Sequence, residues 1–294
     1  MSSGSSELPQ GAGGRAIYDL ATTAADYEPW SRAPLRTVIL CSHMRSGSTL
    51  LGEALYFAGG VGCPIEYFHR GFRPTLERCW EAAGPKYLAE LCRRRTDSTG
   101  TLGVKLFWVD IVDLCSERFP EHSELLAPNL DEDASAEQEV YTLAAKRMAE
   151  LFPEPAFILL DRRDRLRQAV SASLSVQTQV WRRIPGVQDN TPVCEPQFMY
   201  EESLYASATY AAERWNRMFA HMGVTPHRVD YEALASSYGQ TVCALIEAMG
   251  SPATGDVPRP RMARQADAFS EQFMKLFLDE HEERRRGTGA AGNG

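Results

Sequence analysis

The sequence predicts an α/β fold in which a central parallel sheet is flanked by helices on both faces, a three-layer sandwich. Three observations predict it. From residue 36 onward, short apolar runs alternate with amphipathic stretches, and strand–helix–strand crossovers of that kind join parallel strands. The first such unit sets a Ser/Gly/Thr turn between its strand and its helix, so a helix N-terminus opens at the end of a buried strand. No long polar linker divides the middle of the 294-residue chain, and its 44% hydrophobic content is enough for one large core.

Taken in order, residues 1–33 are Gly/Ser/Ala-rich and then mixed, and are expected to be a flexible lead-in to a domain spanning 34–286. The apolar run Thr37–Cys41 reads as the first strand, and Thr49–Ala58 as the helix after it. Strands follow at Thr101–Phe107 and Ala156–Leu160, each an apolar run bounded by polar residues, with a shorter one at His227–Asp230. Helical patterns cover Val140–Leu151, Arg165–Gln179, Tyr200–Met222, Tyr231–Met249 and Phe269–Glu283. Trp215, Phe219 and Met222 fall at helical spacing and read as core. Glu121–Glu139, acidic and Pro/Ser/Asp-containing, interrupts the rhythm and is expected to be a surface excursion. The Gly/Ala tail 287–294 is expected to be disordered.

A net charge of −8 and a pI near 5.4 argue against a nucleic-acid-binding surface. Arg93-Arg-Arg95 and Arg284-Arg-Arg286 read as solvated helix faces or ends. Seven cysteines without a Cys-x-x-Cys pair fit reduced thiols, and six histidines without ligand spacing predict no metal. No signal peptide is apparent and no run approaches the ~20 apolar residues of a membrane span, so a cytoplasmic protein is expected.

The turn His43-Met-Arg-Ser-Gly-Ser-Thr49 is the richest segment. Unpaired amides at the helix start and the macrodipole favour an anion. Gly47 allows close backbone approach, and Ser46, Ser48 and Thr49 add hydroxyls. A nucleoside-triphosphate P-loop needs Lys after its glycine, and Ser48 stands there; the cation is Arg45, two residues before. The fold is therefore P-loop-like, with a loop built for a phosphate other than that of ATP. A second grip is suggested near Asp161-Arg-Arg-Asp-Arg165. Arg163 and Ser171 lie eight residues apart, close to two turns of ~3.6 residues, so a charged fork and a hydroxyl can face one side. Asp161 also admits a reading as a magnesium-organising aspartate, against which stand the arginines around it and the missing lysine.

Two phosphate grips on one sheet suggest a nucleotide phosphorylated at both ends of its ribose. Arg45-Ser-Gly-Ser-Thr49 resembles the 5′-phosphosulfate loop of sulfotransferases, with Arg45 at the usual lysine position, and Arg163…Ser171 resembles their 3′-phosphate site. The finer resemblance is to the trehalose 2-sulfotransferase family. It rests on Arg45–Leu51, Pro64-Ile-Glu-Tyr-Phe68, Gly103-Val-Lys-Leu-Phe-Trp108, Gln168-Ala-Val-Ser171, Gln177-Thr-Gln-Val-Trp-Arg182, Val229-Asp-Tyr-Glu232 and Arg264-Gln-Ala-Asp267, in order from about residue 36 to 285.

The resemblance implies that 3′-phosphoadenosine 5′-phosphosulfate (PAPS) is co-substrate, without a metal, and that a hydroxyl of a carbohydrate or related small molecule attacks sulfur in line. It implies Glu66 as general base, Arg45 with Ser46, Gly47, Ser48 and Thr49 at the phosphosulfate, and Arg163 and Ser171 at the 3′-phosphate. Arg264 becomes a third phosphate ligand, with Arg261 competing for that role. Lys105, at the ligand end of its strand, is either a second cation near the leaving group or acceptor, or a lysine reaching solvent from a strand edge. Trp108 and Trp181 either flank the sugar or adenine or are core. A homodimer is implied as well. Two rivals remain at this level: an ATP-dependent P-loop phosphotransferase, and a nucleotide-binding regulator without catalysis, which has no need of Glu66.

Overall fold

The computed structural model describes residues 18–122, 124–126, 134–186, 188–189, 191–251, 256–265 and 268–291. Its centre is a parallel sheet of β1 (Arg36–Ser42), β2 (Thr101–Phe107), β3 (Pro155–Asp161) and β6 (His227–Asp230), in the order β2-β1-β3-β6. Arg36 lies opposite Thr101 and Ser42 opposite Phe107, so β1 and β2 end together, and Cys41 of β1 lies opposite Leu159 of β3. A separate antiparallel pair, β4 (Arg183–Ile184) and β5 (Gln188–Asp189), stands apart from this sheet.

Ten helices are described: α1 (Ser48–Ala58), α2 (Arg73–Trp80), α3 (Pro85–Arg95), α4 (Trp108–Arg118), α5 (Ala134–Leu151), α6 (Arg165–Thr178), α7 (Glu202–Met222), α8 (Tyr231–Ser236), α9 (Tyr238–Ala248) and α10 (Ala268–Ala291). The period-2 alternation of the strands sorts the core into two layers. Val38, Leu40, Ile158, Leu160 and Val229 pack against Leu51 and Leu55 of α1, Leu234 of α8 and Leu245 of α9. Ile39, Cys41, Val104, Leu106, Phe157 and Leu159 face α2, α3, α4, α5 and α7 across the other side. Helices on both faces make the three-layer α/β sandwich. A third apolar cluster joins Val170 of α6 to Phe273 and Phe277 of α10. Each fully buried leucine or isoleucine in these layers contributes about 1.5–3 kcal/mol of transfer free energy.

Several expectations need correction. The lead-in is not loose from Tyr18 onward: Tyr18, Leu20, Ala21 and Ala25 are buried, in two 3-10 turns at Asp19–Ala21 and Thr23–Ala25. Arg95 holds them, donating from Nη1 to the Leu20 carbonyl (2.9 Å) and from Nη2 to that of Thr22 (2.8 Å). Arg95 is thus wholly buried and no part of a solvated face, while Arg284 and Arg286 are exposed on α10. Residues 1–17 lie outside the described residues.

The acidic stretch contributes the first turn of α5 from Ala134. Within it Glu137 takes Arg214 (3.0 Å) and Arg217 (2.6 Å) of α7, so this end of the excursion clamps two helices; 127–133 lie outside the described residues. Most of the tail expected to be disordered continues α10 to Ala291, with 292–294 outside the described residues.

Candidate active site

The site is assembled where β1, β2 and β3 end. The chain leaves β1 at Ser42 and turns so that the Ser46 amide (3.3 Å) and hydroxyl (2.7 Å) both donate to the His43 carbonyl. Arg45 follows at φ +61 and Gly47 at φ +87, the left-handed region that costs a non-glycine residue about 1–3 kcal/mol when the surroundings impose it. Two side chains from the next segment hold the turn by its carbonyls: Gln168 Nε2 donates to Met44 (2.8 Å), and Arg162 Nη1 to Arg45 (3.0 Å). Gly47 is the N-cap of α1, and a β-carbon there would sit 2.5 Å from the Tyr231 ring. The amides at the start of α1 therefore open beside a bare backbone, as an anion cradle requires.

Arg45 does not lie over solvent. Its Nε donates to Ser171 Oγ (2.9 Å), its Nη2 to Gln265 Oε1 (2.6 Å), and its Nη1 to the Trp181 carbonyl. All three acceptors are neutral. Burial first, then the nearby Arg162 and Arg182 cations, lowers its pKa to about 10, which leaves it charged at neutral pH. Among the described residues, no carboxylate lies within 4 Å of the guanidinium of Arg45, Arg162 or Arg182. Three cations without a matched anion around one helix N-terminus form a site for a polyanion.

The second grouping lies at the β2 end. Lys105 is buried within the strand, and its Nζ is 2.7 Å from Glu66 Oε1 and 3.1 Å from Thr49 Oγ1. It is therefore no surface lysine. Glu66 sits on the segment after α1, where Ile65 bridges to Val104 of β2. Burial raises its pKa, but Lys105, the hydrogen bond from it, Arg182 and His69 outweigh that and hold the carboxyl below the usual range. For Lys105 burial wins, and its pKa falls. Asp110, one turn into α4, accepts from the Phe107 amide (2.8 Å), while its Oδ1 is buried and unpartnered; burial pushes its pKa up to about 7.

The sequence-derived residues divide on this geometry. Arg45, Ser171, Glu66, Lys105 and Thr49 are brought together. The Ser46 hydroxyl is turned inward to His43, and Ser48 is buried. Arg163 does not face Ser171: it is 68% exposed in the turn before α6, with its Nε 3.6 Å from Glu232. Arg264 is exposed, and its neighbour Gln265 is the one that reaches Arg45. Arg261 is bound to Asp19 (2.7 Å) and Glu53 (2.6 Å). Trp108 is core, packed on Tyr141 and Trp215; Trp181 is half-exposed, and its carbonyl meets Arg45. Asp161 is bonded by Arg165 on both oxygens (2.6 and 2.9 Å), so a guanidinium already balances its charge.

Sequence reasoning did not single out Arg162, Arg182, Gln168 or Tyr231 as functional. Gln168, Arg182 and Tyr231 lie inside motifs that carry the family resemblance, and Arg162 inside Asp161-Arg-Arg-Asp-Arg165. Their partners are backbone carbonyls and rings far away in sequence, which no spacing rule reveals.

The family model described as Stf0 sulphotransferase matches residues 37–280. The chain is 27% identical over 267 residues to a trehalose 2-sulfotransferase of Mycobacterium tuberculosis (strain Erdman), covering 85% of this chain and 97% of that protein. It is 26% identical over 261 residues to a trehalose 2-sulfotransferase of Mycolicibacterium smegmatis, covering 83% and 94%. The solved sulfotransferase domain of the Synechococcus PCC 7002 olefin synthase is similar at 16% identity, over 85% of this chain and 97% of that one. Its TM-score is 0.34.

Proposed function

This chain belongs to the Stf0 sulphotransferase family, and from that premise we propose that it is a PAPS-dependent enzyme that sulfates a hydroxyl of a carbohydrate or related small molecule. The observation that carries the reading is the position of Lys105, whose Nζ reaches Thr49 on the donor loop (3.1 Å) and Glu66 (2.7 Å) at once. A single ammonium thus separates the anion cradle from a carboxylate suited to be a base.

PAPS supplies an activated sulfuryl group, and the residues present fit its anions. Arg45 and the first amides of α1 would hold the 5′-phosphosulfate, with Ser171 at the 3′-phosphate and Arg163 and Arg264 closing from the exposed rim. Glu66, kept ionised by Lys105, accepts the proton of the attacking hydroxyl. Lys105 is placed to stabilise negative charge growing on the leaving side, without reorganisation at the moment of reaction. The curated relatives are named for trehalose, which makes a sugar the first acceptor to try. A cytoplasmic homodimer is the form we expect, and light scattering reads its mass directly.

The test is calorimetry of the purified protein with 3′,5′-bisphosphoadenosine and with ATP–magnesium, followed by a PAPS consumption assay on a panel of hydroxyl compounds that includes trehalose. Binding of bisphosphoadenosine and sulfation of a sugar support the reading. Binding of ATP–magnesium alone, or bisphosphoadenosine binding with no turnover on a broad panel, overturns it.

A further inference from the structure

Of the three cations around the helix N-terminus, Arg182 has no part yet in the donor and base assignments above. Its segment is fixed on both sides: the Trp181 carbonyl accepts from Arg45, and the Arg183 carbonyl accepts from the Ala263 amide (2.9 Å). Between these anchors the Arg182 guanidinium lies 4.2 Å from the centroid of Tyr18 and 5.2 Å from that of Phe72. Tyr18 is bound to Glu53 of α1 (2.8 Å), and Phe72 closes the turn that begins at Glu66, through His69.

Two aromatic faces therefore orient Arg182 between the helix of the donor loop and the segment of the base. Its Nε is buried and has no hydrogen-bond partner, and no carboxylate among the described residues pairs with it. A planar fork held by its faces leaves its N–H edge for a ligand, and leaving such a charge unmatched is costly. Its charge is also felt by Arg45 on the donor side and by Glu66 and Lys105 on the acceptor side.

We propose that Arg182 is a catalytic residue that binds the non-bridging oxygens of the sulfuryl group as it passes from donor to acceptor. The proposal rests on the PAPS reading. In the step, the acceptor oxygen forms a bond to sulfur while the bond from sulfur to the bridging oxygen of the phosphosulfate breaks. The electron pair of that bond stays on the oxygen, which leaves as the 5′-phosphate of bisphosphoadenosine, and the acceptor's proton goes to the Glu66 carboxylate. As the sulfuryl group passes, its three oxygens flatten into the plane between the two apical oxygens and charge redistributes among them. A fork fixed between the two ends meets those oxygens best at that midpoint, so its contact is stronger in the transition state than with bound PAPS.

The experiment compares Arg182→Gln and Arg182→Lys with the wild type, using bisphosphoadenosine and PAPS, which differ by the sulfuryl group alone. Bisphosphoadenosine affinity should stay within about threefold in Arg182→Gln, while kcat with PAPS falls about 100-fold, the scale for loss of one charge-stabilising donor at a reacting centre. Arg182→Lys, which keeps the charge and the aromatic contacts but not the fork, should recover about tenfold of that loss. Unchanged turnover in Arg182→Gln overturns the proposal and leaves the PAPS reading standing. A parallel loss of bisphosphoadenosine affinity in both variants also overturns it, since the residue would then serve the nucleotide or the fold. A wild type that binds neither nucleotide removes the donor reading, and the proposal with it.

Discussion

Glu66 and Lys105 are buried together, and the ionised state of each depends on the other. Taking Lys105 away leaves burial as the main influence on Glu66, so its pKa rises. A base works only when ionised; the acid limb of the kcat–pH profile of Lys105→Met should therefore move to higher pH than in the wild type. A limb that stays in place would detach Lys105 from the base. Glu66→Gln, of nearly equal shape, should keep bisphosphoadenosine binding and lose about 10²–10⁴-fold in turnover, the range for an acid–base group. Near-normal turnover in that variant would remove Glu66 from the mechanism.

Asp110 gives a stability prediction at the same scale. Its folded pKa of about 7 lies above the ordinary 3.8, so the folded state binds the extra proton between these values. Its contribution is favourable at low pH and is lost as the pH rises through about 7. Asp110→Asn keeps an acceptor for the Phe107 amide and should flatten the decline between pH 5 and pH 8. By urea titration, the variant should gain on the order of a few kcal/mol over wild type at pH 8 relative to pH 5.

At the scale of elements, the loop–helix unit depends on Gly47. Gly47→Ala places a methyl group 2.5 Å from Tyr231 at φ +87, and should cost about 1–3 kcal/mol from the backbone conformation alone. Thermal melts should show that loss together with weaker bisphosphoadenosine binding. Tyr231→Ala in the same chain relieves the clash but not the dihedral, so it should restore only part of the stability. Full restoration would mean the backbone conformation costs nothing. The covered strands were legible because a parallel strand buried on both faces reads as a largely apolar run, and Thr101–Phe107 matches residue for residue; His227–Asp230 matches as well, although it lies at the sheet edge with Val229 alone buried. Helices α2, α3 and α4 were not. Arg73-Pro-Thr-Leu-Glu-Arg-Cys-Trp80 is too polar and short to show a face, and α4 follows β2 with no turn residue, its start made by the Asp110 carboxylate instead.

At the scale of the whole molecule, Arg95 ties the N-terminal turns to the segment that carries Glu66. Besides the Leu20 and Thr22 carbonyls it meets Cys63 Sγ (3.4 Å), pairs with Asp26 (3.1 Å) and lies over the Tyr67 and Trp80 rings. Arg95→Met strands two buried carbonyls and leaves Asp26 with Arg94 alone, and should lower unfolding free energy by about 3–5 kcal/mol, the scale for breaking a buried charged contact. Arg93→Met, on the open side of α3, should leave the denaturation midpoint where it is. Equal midpoints for both would mean that Arg95 anchors nothing. In the sequence, Arg93-Arg-Arg95 reads as a charge run, because a run does not say which member turns inward. The loop was legible for the opposite reason: Arg45 and Thr49 stand at a strand end and a helix start, where local pattern fixes position, and Lys105 lies in an apolar strand, whereas Glu66 was singled out by the family resemblance alone.

The three internal bonds of Arg45 have a kinetic and entropic consequence. A guanidinium has five N–H donors, and among the described residues Ser171, Trp181 and Gln265 occupy three of them. Two remain to meet an arriving anion, on a side chain whose rotamers were already frozen when the chain folded. A flexible arginine would lose about 1.5–2 kcal/mol of rotational freedom at each encounter. Here that loss belongs to folding, so association proceeds without a search by the receiving group, and discrimination falls to the shape of the anion that arrives.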